Sequence, residues 1–147
     1  MRMLWRQYSC AVMAVVQGTC VGGGFGMAAC ADVVIADDSA RFGLPEPRHG
    51  FIPSQILPFL VRRLGEAPVR RIAVTAAVID ASEAQRLGYV LDVVPSEELF
   101  ATAMSLAQQI AVGSPRSLRE IKSLVHQGLT ASVGEHMERH TESLAAC

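Results

Sequence analysis

The chain has 147 residues, a formal net charge of −1 and 18% charged residues. This length fits one domain with a buried core. Because no block of like charges occurs, the sequence offers no electrostatic basis for binding nucleic acid or an anionic membrane. No apolar run approaches the length that a membrane span needs. Half of the residues are hydrophobic, which favours an α/β core or apolar faces buried against partner subunits.

Sparse cysteines and histidines limit the redox and metal chemistry that the sequence predicts. The cysteines are Cys10, Cys20, Cys30 and Cys147. They form no C-x-x-C pair, so neither a zinc knuckle nor a redox-active dithiol is indicated. This pattern is typical of a reducing cytosol, and we expect a cytoplasmic protein. His136 and His140 lie one helical turn apart but have no third ligand nearby in the sequence, so no metal site is predicted.

The first third of the chain predicts two parallel strands joined by a helix. Residues 11–16 form a short β-branched run, predicted to be a strand buried on both faces. The Gly22-Gly23-Gly24 turn opens a helix of small residues over 23–31, and residues 33–36 predict a second buried strand. A strand, a helix and a strand in this order form a βαβ unit with parallel strands.

The middle third predicts loops and short helices. Residues 41–44 are expected to be extended, and Pro45-Glu46-Pro47 predicts a rigid loop. A helix is predicted over 54–64, with Ser54 as its N-cap and a kink at Pro58. A second helix is predicted over 67–76. Asp80 is predicted to cap a third, with Glu83 in the capping-box position and Gly88 as the stop.

The last third predicts mainly helices. Residues 90–94 form a strand that ends at Pro95. Leu99, Ala103, Leu106 and Ile110 then recur at three- and four-residue spacing, as on the buried face of a helix. Further helices are predicted to end at Gly128 and to run from residue 132 to the end of the chain. Residues 1–8 are predicted to be the tail of a helix.

The glycine turn is the first feature that carries chemistry. Backbone N–H groups and the positive end of the helix dipole meet at Gly22-Gly23-Gly24, so an anion or a polarised carbonyl oxygen is favoured there. A phosphate site, an oxyanion hole and tight helix–strand packing all fit this pattern. The Gly-Lys-Ser/Thr of a Walker loop is absent. Asp37 and Asp38 follow too soon for a dinucleotide fingerprint.

Glu46 is the second feature. It lies between two prolines and among apolar residues, in the segment Phe42-Gly43-Leu44-Pro45-Glu46. A carboxylate held in this way can transfer a proton. A solvated glutamate on a surface loop is the alternative interpretation.

Together these segments resemble the crotonase (enoyl-CoA hydratase/isomerase) superfamily. The resemblance runs through Val15-Val16-Gln17-Gly18, Gly22-Gly23-Gly24, Cys30-Ala31-Asp32-Val33, residues 40–46 and Gly50-Phe51-Ile52-Pro53, and then on to residue 99. It implies an α/β fold in which residues 1–95 form part of the ClpP/crotonase-like ββα spiral. Residues 96–147 would form a helical oligomerisation region, which builds trimers, sometimes paired into hexamers, in that family.

The resemblance also implies a site. In the family a thioester carbonyl lies between two backbone N–H groups that stabilise an enolate, and a glutamate transfers protons. The catalytic groups would be the Gly23 amide and the Glu46 carboxylate. The substrate-binding residues would be Gly22, Gly24, Phe25, Gly26 and Pro45. The substrate would be an acyl-CoA thioester, with coenzyme A as part of the substrate, and no separate cofactor or metal.

Two departures from the family pattern bear on specificity. Standard hydratases of the family carry a second glutamate where this chain has Gly26, and Ser54-Gln55-Ile56-Leu57-Pro58-Phe59 replaces the usual Gly-Gly-Thr-Gln-Arg-Leu. Both resemble a branch that hydrates isohexenylglutaconyl-CoA and methylglutaconyl-CoA thioesters. We expect Gly26 to open space for a branched acyl group. Double-bond isomerisation with Glu46 alone is the alternative, because that reaction needs no second acid.

Family members are considerably longer than this chain. The resemblance places the second oxyanion N–H and most of the adenine contacts in N-terminal strands that this sequence lacks, and it places further basic residues in a last helix. Losing one oxyanion donor lowers turnover by about 10²- to 10³-fold. We therefore expect weak or no activity from these 147 residues alone, and a fragment without enzymatic function is the third interpretation.

Overall fold

The computed structural model describes residues 10–127. The predictions for residues 1–8, for Gly128 and for residues 132–147, including His136, His140 and Cys147, lie outside them. Six strands, six α-helices and one 3₁₀ helix follow in chain order within the described part: β1 Met13–Val16, β2 Thr19–Val21, α1 Gly23–Ala28, β3 Val33–Asp37, β4 Arg41–Gly43, 3₁₀ Glu46–His49, α2 Leu57–Leu64, α3 Glu66–Thr75, β5 Val78–Asp80, α4 Ala81–Arg86, β6 Asp92–Val94, α5 Leu99–Ala111 and α6 Pro115–Gln127.

Two compact units divide the described residues. Residues 12–107 form the first unit, which contains all six strands. Residues 10–11 and 108–127 belong to the second unit, where the Lys122 ammonium donates a hydrogen bond to the Cys10 carbonyl at 2.8 Å. None of the described helices is both long and apolar enough to cross a membrane.

The strands of the first unit form two three-stranded sheets, in the orders β1-β3-β6 and β2-β4-β5. β1 and β3 pair in parallel, as predicted for the βαβ unit. β2 was not predicted. It follows β1 after two residues and pairs with β4 in the other sheet, because Gly18 (φ 68°) turns the chain between the sheets. β5 was not predicted either, since three residues that pair with β4 carry too short a pattern.

Four local predictions are corrected by the structure. β1 is not buried on both faces, because Val15 is 46% exposed. Pro45-Glu46-Pro47 is not a loop: Pro45 caps the 3₁₀ helix, and Pro47 occupies its first turn, where the N–H that proline lacks needs no partner. Residues 54–56 form a turn, so Ser54 is not an N-cap. Pro58 lies in the first turn of α2 and causes no kink.

Asp80 caps α4 as predicted. Its Oδ1 accepts a hydrogen bond from the Glu83 N–H at 2.8 Å. The second bond of a capping box, from the Asp80 N–H to the Glu83 side chain, is not among the bonds that Glu83 makes. Its side chain bonds instead to the guanidinium groups of Arg71 and Arg86, at 2.7–2.8 Å.

Aromatic rings form the centre of the first unit. Phe25, Phe42 and Tyr89 are fully buried, with ring centroids 4.7–5.8 Å apart. The Tyr89 hydroxyl donates to the Phe25 carbonyl at 2.6 Å, which satisfies the polar end of the ring. Burial raises the pKa of Tyr89 above its ordinary value, so the phenol stays protonated. These rings tie α1, β4 and the segment after α4 into one core.

Asp37 is a fully buried carboxylate at the end of β3. Its Oδ1 accepts from the Ser39 hydroxyl at 2.7 Å, and its Oδ2 accepts from the Ser96 hydroxyl at 2.5 Å. Burial alone would raise the pKa of Asp37, but hydrogen bonds from Ser96, Ser39, Gln17 and the Gly18 backbone outweigh it and lower the pKa.

We expect Asp37 to make folding stability fall in acid. Its folded-state pKa lies below the unfolded value, so its contribution is present above the unfolded pKa and is lost as the pH falls through the folded pKa. Asp37→Asn is expected to cost about 1–3 kcal/mol at pH 7 and to flatten the loss below about pH 5. Urea unfolding between pH 3 and pH 7 measures both effects. Asp38→Asn, at an exposed neighbouring site, is the control.

Candidate functional site

Gly22 is the residue at which β2 turns into α1. Its φ of 55° and ψ of −126° lie in a region that L side chains rarely adopt. Its N–H donates to the Gly43 carbonyl at 2.9 Å, which anchors the turn on β4. Gly22 therefore needs to be glycine because of its backbone conformation as well as its surroundings.

Gly23 and Gly24 begin α1 and are exposed. An added Cβ at Gly23 would meet nothing within 4 Å, and one at Gly24 would meet only the Cys20 sulfur, at 3.7 Å. The first N–H groups of a helix have no acceptor within the helix. The space on the side of Gly23 where a Cβ would stand is therefore open.

Glu46 lies against this turn. It begins the 3₁₀ helix, directly after the half-buried Pro45. A Cβ built on Gly22 would be 2.8 Å from Glu46 Oε1 and 3.4 Å from Cδ. The structure thus brings together the carboxylate and the glycine that precedes the Gly23 amide, although 24 positions separate Gly22 from Glu46 in the sequence.

The two oxygens of Glu46 have different surroundings. Oε1 is the atom closest to the Gly22 position, while Oε2 is buried and has no hydrogen-bond partner among residues 10–127. Buried polar atoms normally have a partner, and exceptions concentrate at functional sites. A hydrogen-bond donor on a ligand would satisfy such an oxygen.

Gly26 does not open space, contrary to the sequence-based expectation. It is buried, and an added Cβ would be 2.3 Å from both Cβ and Cγ2 of Ile56. Ile56, at the start of α2, therefore fills the volume beside Gly26. The sequence singled out Gly26 and residues 54–59 separately but carried no signal for a contact between them, because Gly26 and Ile56 lie 30 positions apart in different segments.

The prediction that the Phe25 side chain binds substrate is also corrected. Phe25 is fully buried between Phe42 and Tyr89, so its ring belongs to the core. Its part in the site is structural, because it holds α1 in place through the ring and through the carbonyl that accepts from Tyr89.

Arg63 supports the opposite end of α1. The pairs Arg62–Arg63 and Arg70–Arg71 are each two adjacent basic residues on α2 and α3. Only Arg63 of these four is half-buried, and it donates to the carbonyls of Ala29, Ala31 and Tyr89 at 3.4, 2.7 and 3.2 Å. Burial lowers its pKa below the ordinary value, although the guanidinium stays charged. A cation at a helix C-terminus stabilises the carbonyls there.

The described residues contain no metal-binding cluster. No group of three or more His, Cys, Asp or Glu side chains within residues 10–127 is arranged to hold an ion. Cys10, Cys20 and Cys30 are in the thiol form, the Cys30 thiol donates a hydrogen bond to the Gly26 carbonyl at 3.3 Å, and burial raises the pKa of Cys20. The groups that the described site offers are backbone amides and the Glu46 carboxylate.

Comparison with known proteins identifies the family. A sequence model of the enoyl-CoA hydratase/isomerase family matches residues 2–145. The mevalonyl-coenzyme A hydratase of Aspergillus fumigatus is 40% identical over 124 residues, which cover 84% of this chain and 46% of that protein. The chain thus spans about half the length of the curated relatives it matches.

Solved structures agree. An enoyl-CoA hydratase/isomerase from Marinobacter aquaeolei superposes with a TM-score of 0.90 and 37% identity, over 96% of this chain and 54% of that one. A protein from Thermobifida fusca YX, solved in complex with acetoacetyl-CoA, superposes with a TM-score of 0.92 and 28% identity, over 98% of this chain and 56% of that one. The fold is therefore the mixed α/β, crotonase-like fold predicted from the sequence, and the chain belongs to the enoyl-CoA hydratase/isomerase family.

Proposed function

We propose that this chain contributes to a site that adds water to a 2-enoyl-CoA thioester. The Gly23 N–H would polarise the thioester carbonyl, and Glu46 would transfer a proton between water and the acyl chain. The observation that carries the proposal is the contact between the Glu46 carboxylate and Gly22, directly before the open amide of Gly23. An acyl group bound at that amide would lie beside the carboxylate.

The chemistry follows from charge. Attack of water at the β-carbon sends electron density to the thioester oxygen and gives an enolate. A backbone N–H directed at that oxygen stabilises the charge as it develops, without reorganising during the reaction. Glu46 accepts a proton from the attacking water and then delivers a proton to the α-carbon, which completes the product and returns Glu46 to the carboxylate. The carboxylate is half-buried, and this partial exclusion of water strengthens its electrostatic interactions.

A branched acyl group is the substrate class that we propose. The Aspergillus relative carries the name of a mevalonyl thioester, whose acyl group bears a methyl branch. Residues 54–59 supply the second line of support through their resemblance to the glutaconyl-CoA hydratase branch. Space at Gly26 lends no support, because Ile56 fills it.

Double-bond isomerisation is the second candidate, and one observation favours it. Of the side chains that an added Cβ at Gly22, Gly24 or Gly26 would meet, only Glu46 carries a carboxylate. The other two are Cys20 and Ile56. Moving a proton from one carbon to another needs one carboxylate and no positioned water.

The purified 147-residue chain tests these proposals with three thioesters: straight-chain crotonyl-CoA, 3-methylglutaconyl-CoA and a 3-enoyl-CoA. Turnover by these 147 residues is expected to be weak, and hydration, seen as loss of the conjugated thioester absorbance, is expected to be faster with the branched ester than with crotonyl-CoA. Good hydration of crotonyl-CoA with none of the branched ester would refute the branched substrate. Conversion of the 3-enoyl ester to the 2-enoyl ester without hydration would establish the isomerase.

Calorimetric titration with acetoacetyl-CoA gives a binding readout, and no heat together with no turnover would exclude both activities for this chain.

A further inference from the structure

Arg48 lies two residues after Glu46 in the same 3₁₀ helix. Its guanidinium Nη2 donates a hydrogen bond to the Ala76 carbonyl at 2.9 Å, across 28 positions of sequence. Ala76 directly follows α3 and is buried. A cation bonded to a carbonyl at a helix C-terminus satisfies an acceptor and opposes the negative end of the dipole. Arg48 thereby fastens the segment that carries Glu46 to the end of α3.

The backbone of Ala76 makes this attachment point unusual. Its φ of 49° and ψ of 36° place it in the left-handed region, and it is the one residue other than glycine with a positive φ in the described part of the chain. An L residue held in that region carries a strain on the order of 1 kcal/mol. The conformation directs the chain from α3 into β5 and presents the Ala76 carbonyl to Arg48.

The segment after Ala76 is in turn held against the glycine turn. Gly43 pairs with Val78 across the β4–β5 ladder, and a Cβ on Gly43 would be 2.5 Å from the Ala77 carbonyl oxygen. The Gly43 carbonyl also accepts the Gly22 N–H at 2.9 Å. The contacts therefore form a continuous series, which runs from Gly22 through Gly43 and the Ala76–Val78 segment to Arg48.

Glu46 closes this series into a ring, because it belongs to the same 3₁₀ helix as Arg48 and its carboxylate lies against Gly22. Its buried Oε2 accepts no hydrogen bond from residues 10–127. No such bond holds Oε2 in place, so the 3₁₀ helix on which Glu46 stands has a large part in placing the carboxylate, and the Arg48 side chain bonds that helix to the Ala76 carbonyl. We propose that Arg48 is a positioning residue, which sets the Glu46 carboxylate against the Gly22 turn by bonding to the Ala76 carbonyl.

The test measures the position of Glu46 directly. In the isotopically labelled chain, the nuclear Overhauser effect between Gly22 Hα and Glu46 Hγ reports the contact, and the Glu46 Cδ shift reports its surroundings. Arg48→Met keeps the apolar stem and removes every donor, and we expect it to lose more than half of the cross-peak intensity. Arg48→Lys retains a donor for the Ala76 carbonyl and is expected to restore it.

Two further variants separate positioning from stability. Ala76→Gly keeps the carbonyl and relieves the left-handed conformation, so the cross-peak should persist while the melting temperature rises. Arg70→Ala removes an exposed arginine that pairs with Glu66 and should change neither readout. An unchanged cross-peak in Arg48→Met would overturn the proposal. So would failure of Arg48→Met to fold, because Arg48 would then act on the fold as a whole.

The effect of Arg48→Met on catalysis rests on the role proposed above for Glu46, whereas its effect on the Gly22–Glu46 cross-peak does not. With a thioester that the chain turns over, Arg48→Met is expected to lower kcat by about 10- to 100-fold. KM should stay within about twofold, because the contact acts on the proton-transfer group and not on substrate binding. A wild-type chain without turnover would count against the proposed function alone. An equal change in kcat and KM would count against positioning.

Discussion

Glu46→Gln is expected to lower the turnover of a 2-enoyl-CoA by about 10²- to 10⁴-fold, the usual contribution of a general acid or base. Glutamine keeps the shape of the side chain and its contact with Gly22, but it cannot accept or release the proton. The fold should be unharmed, because Oε2 accepts no hydrogen bond from residues 10–127 that the substitution would break. Removing charge from a half-buried carboxyl group is expected to leave the free energy of unfolding unchanged or to raise it.

Steady-state kinetics and urea unfolding of the same preparation check this pair of outcomes. Glu66→Gln is the matched control: Glu66 is an exposed glutamate whose ion pair with Arg70 contributes little, so both readouts should stay near wild type. Wild-type turnover by Glu46→Gln would remove Glu46 from the mechanism. A large loss of stability would show that the carboxylate has a structural role.

Gly26→Ala is expected to destabilise the fold, although alanine is the better helix former. The new Cβ would stand 2.3 Å from Cβ and Cγ2 of the buried Ile56, so α1 or α2 would have to move. Overpacking of this kind costs about 1–3 kcal/mol or more, which exceeds the gain of up to about 1 kcal/mol from helix propensity. A glutamate at this position would require a still larger displacement of Ile56.

Gly24→Ala is the control for that experiment. It is the same substitution in the same helix, but its Cβ meets only the Cys20 sulfur, at an ordinary 3.7 Å. We expect it to leave stability unchanged or to raise it slightly. The free energies of unfolding of the two variants should differ by about 1–3 kcal/mol, because both gain the helix propensity of alanine and only Gly26→Ala carries the overpacking cost. Equal stability would mean that Ile56 yields easily, and the space beside Gly26 would then be available to a ligand after all.

The main elements of the fold and two residues of the site, Gly23 and Glu46, could be predicted from local sequence. The parallel pairing of β1 with β3 followed from two apolar runs around a glycine-rich helix, and the Asp80 cap followed from its spacing to Glu83. Both features depend on residues that are close together in the sequence. β2 and β5 were missed because each has three residues and depends on pairing with β4, which is a tertiary interaction that a short pattern does not encode.

The remainder of the site depends on contacts between distant segments. The sequence singled out Glu46 and Gly23, but not the contact of Glu46 with Gly22, which joins positions 24 apart. Ile56 beside Gly26 and Arg48 on the Ala76 carbonyl were equally hidden, because each residue has an ordinary role within its own segment. Nothing in the local sequence distinguishes Arg63 from its neighbour Arg62, and only the packing of α2 shows that Arg63 binds carbonyls at the end of α1.

Arg63 has an electrostatic consequence for the other end of that helix. α1 has six residues, so it is about 9 Å long and its own dipole is short. A permanent guanidinium behind it adds positive potential along the same axis, through a core of aromatic rings that screens charge poorly. A negative charge forming at Gly23 would therefore be attracted both by the nearby amides and by a cation on the far side of the helix.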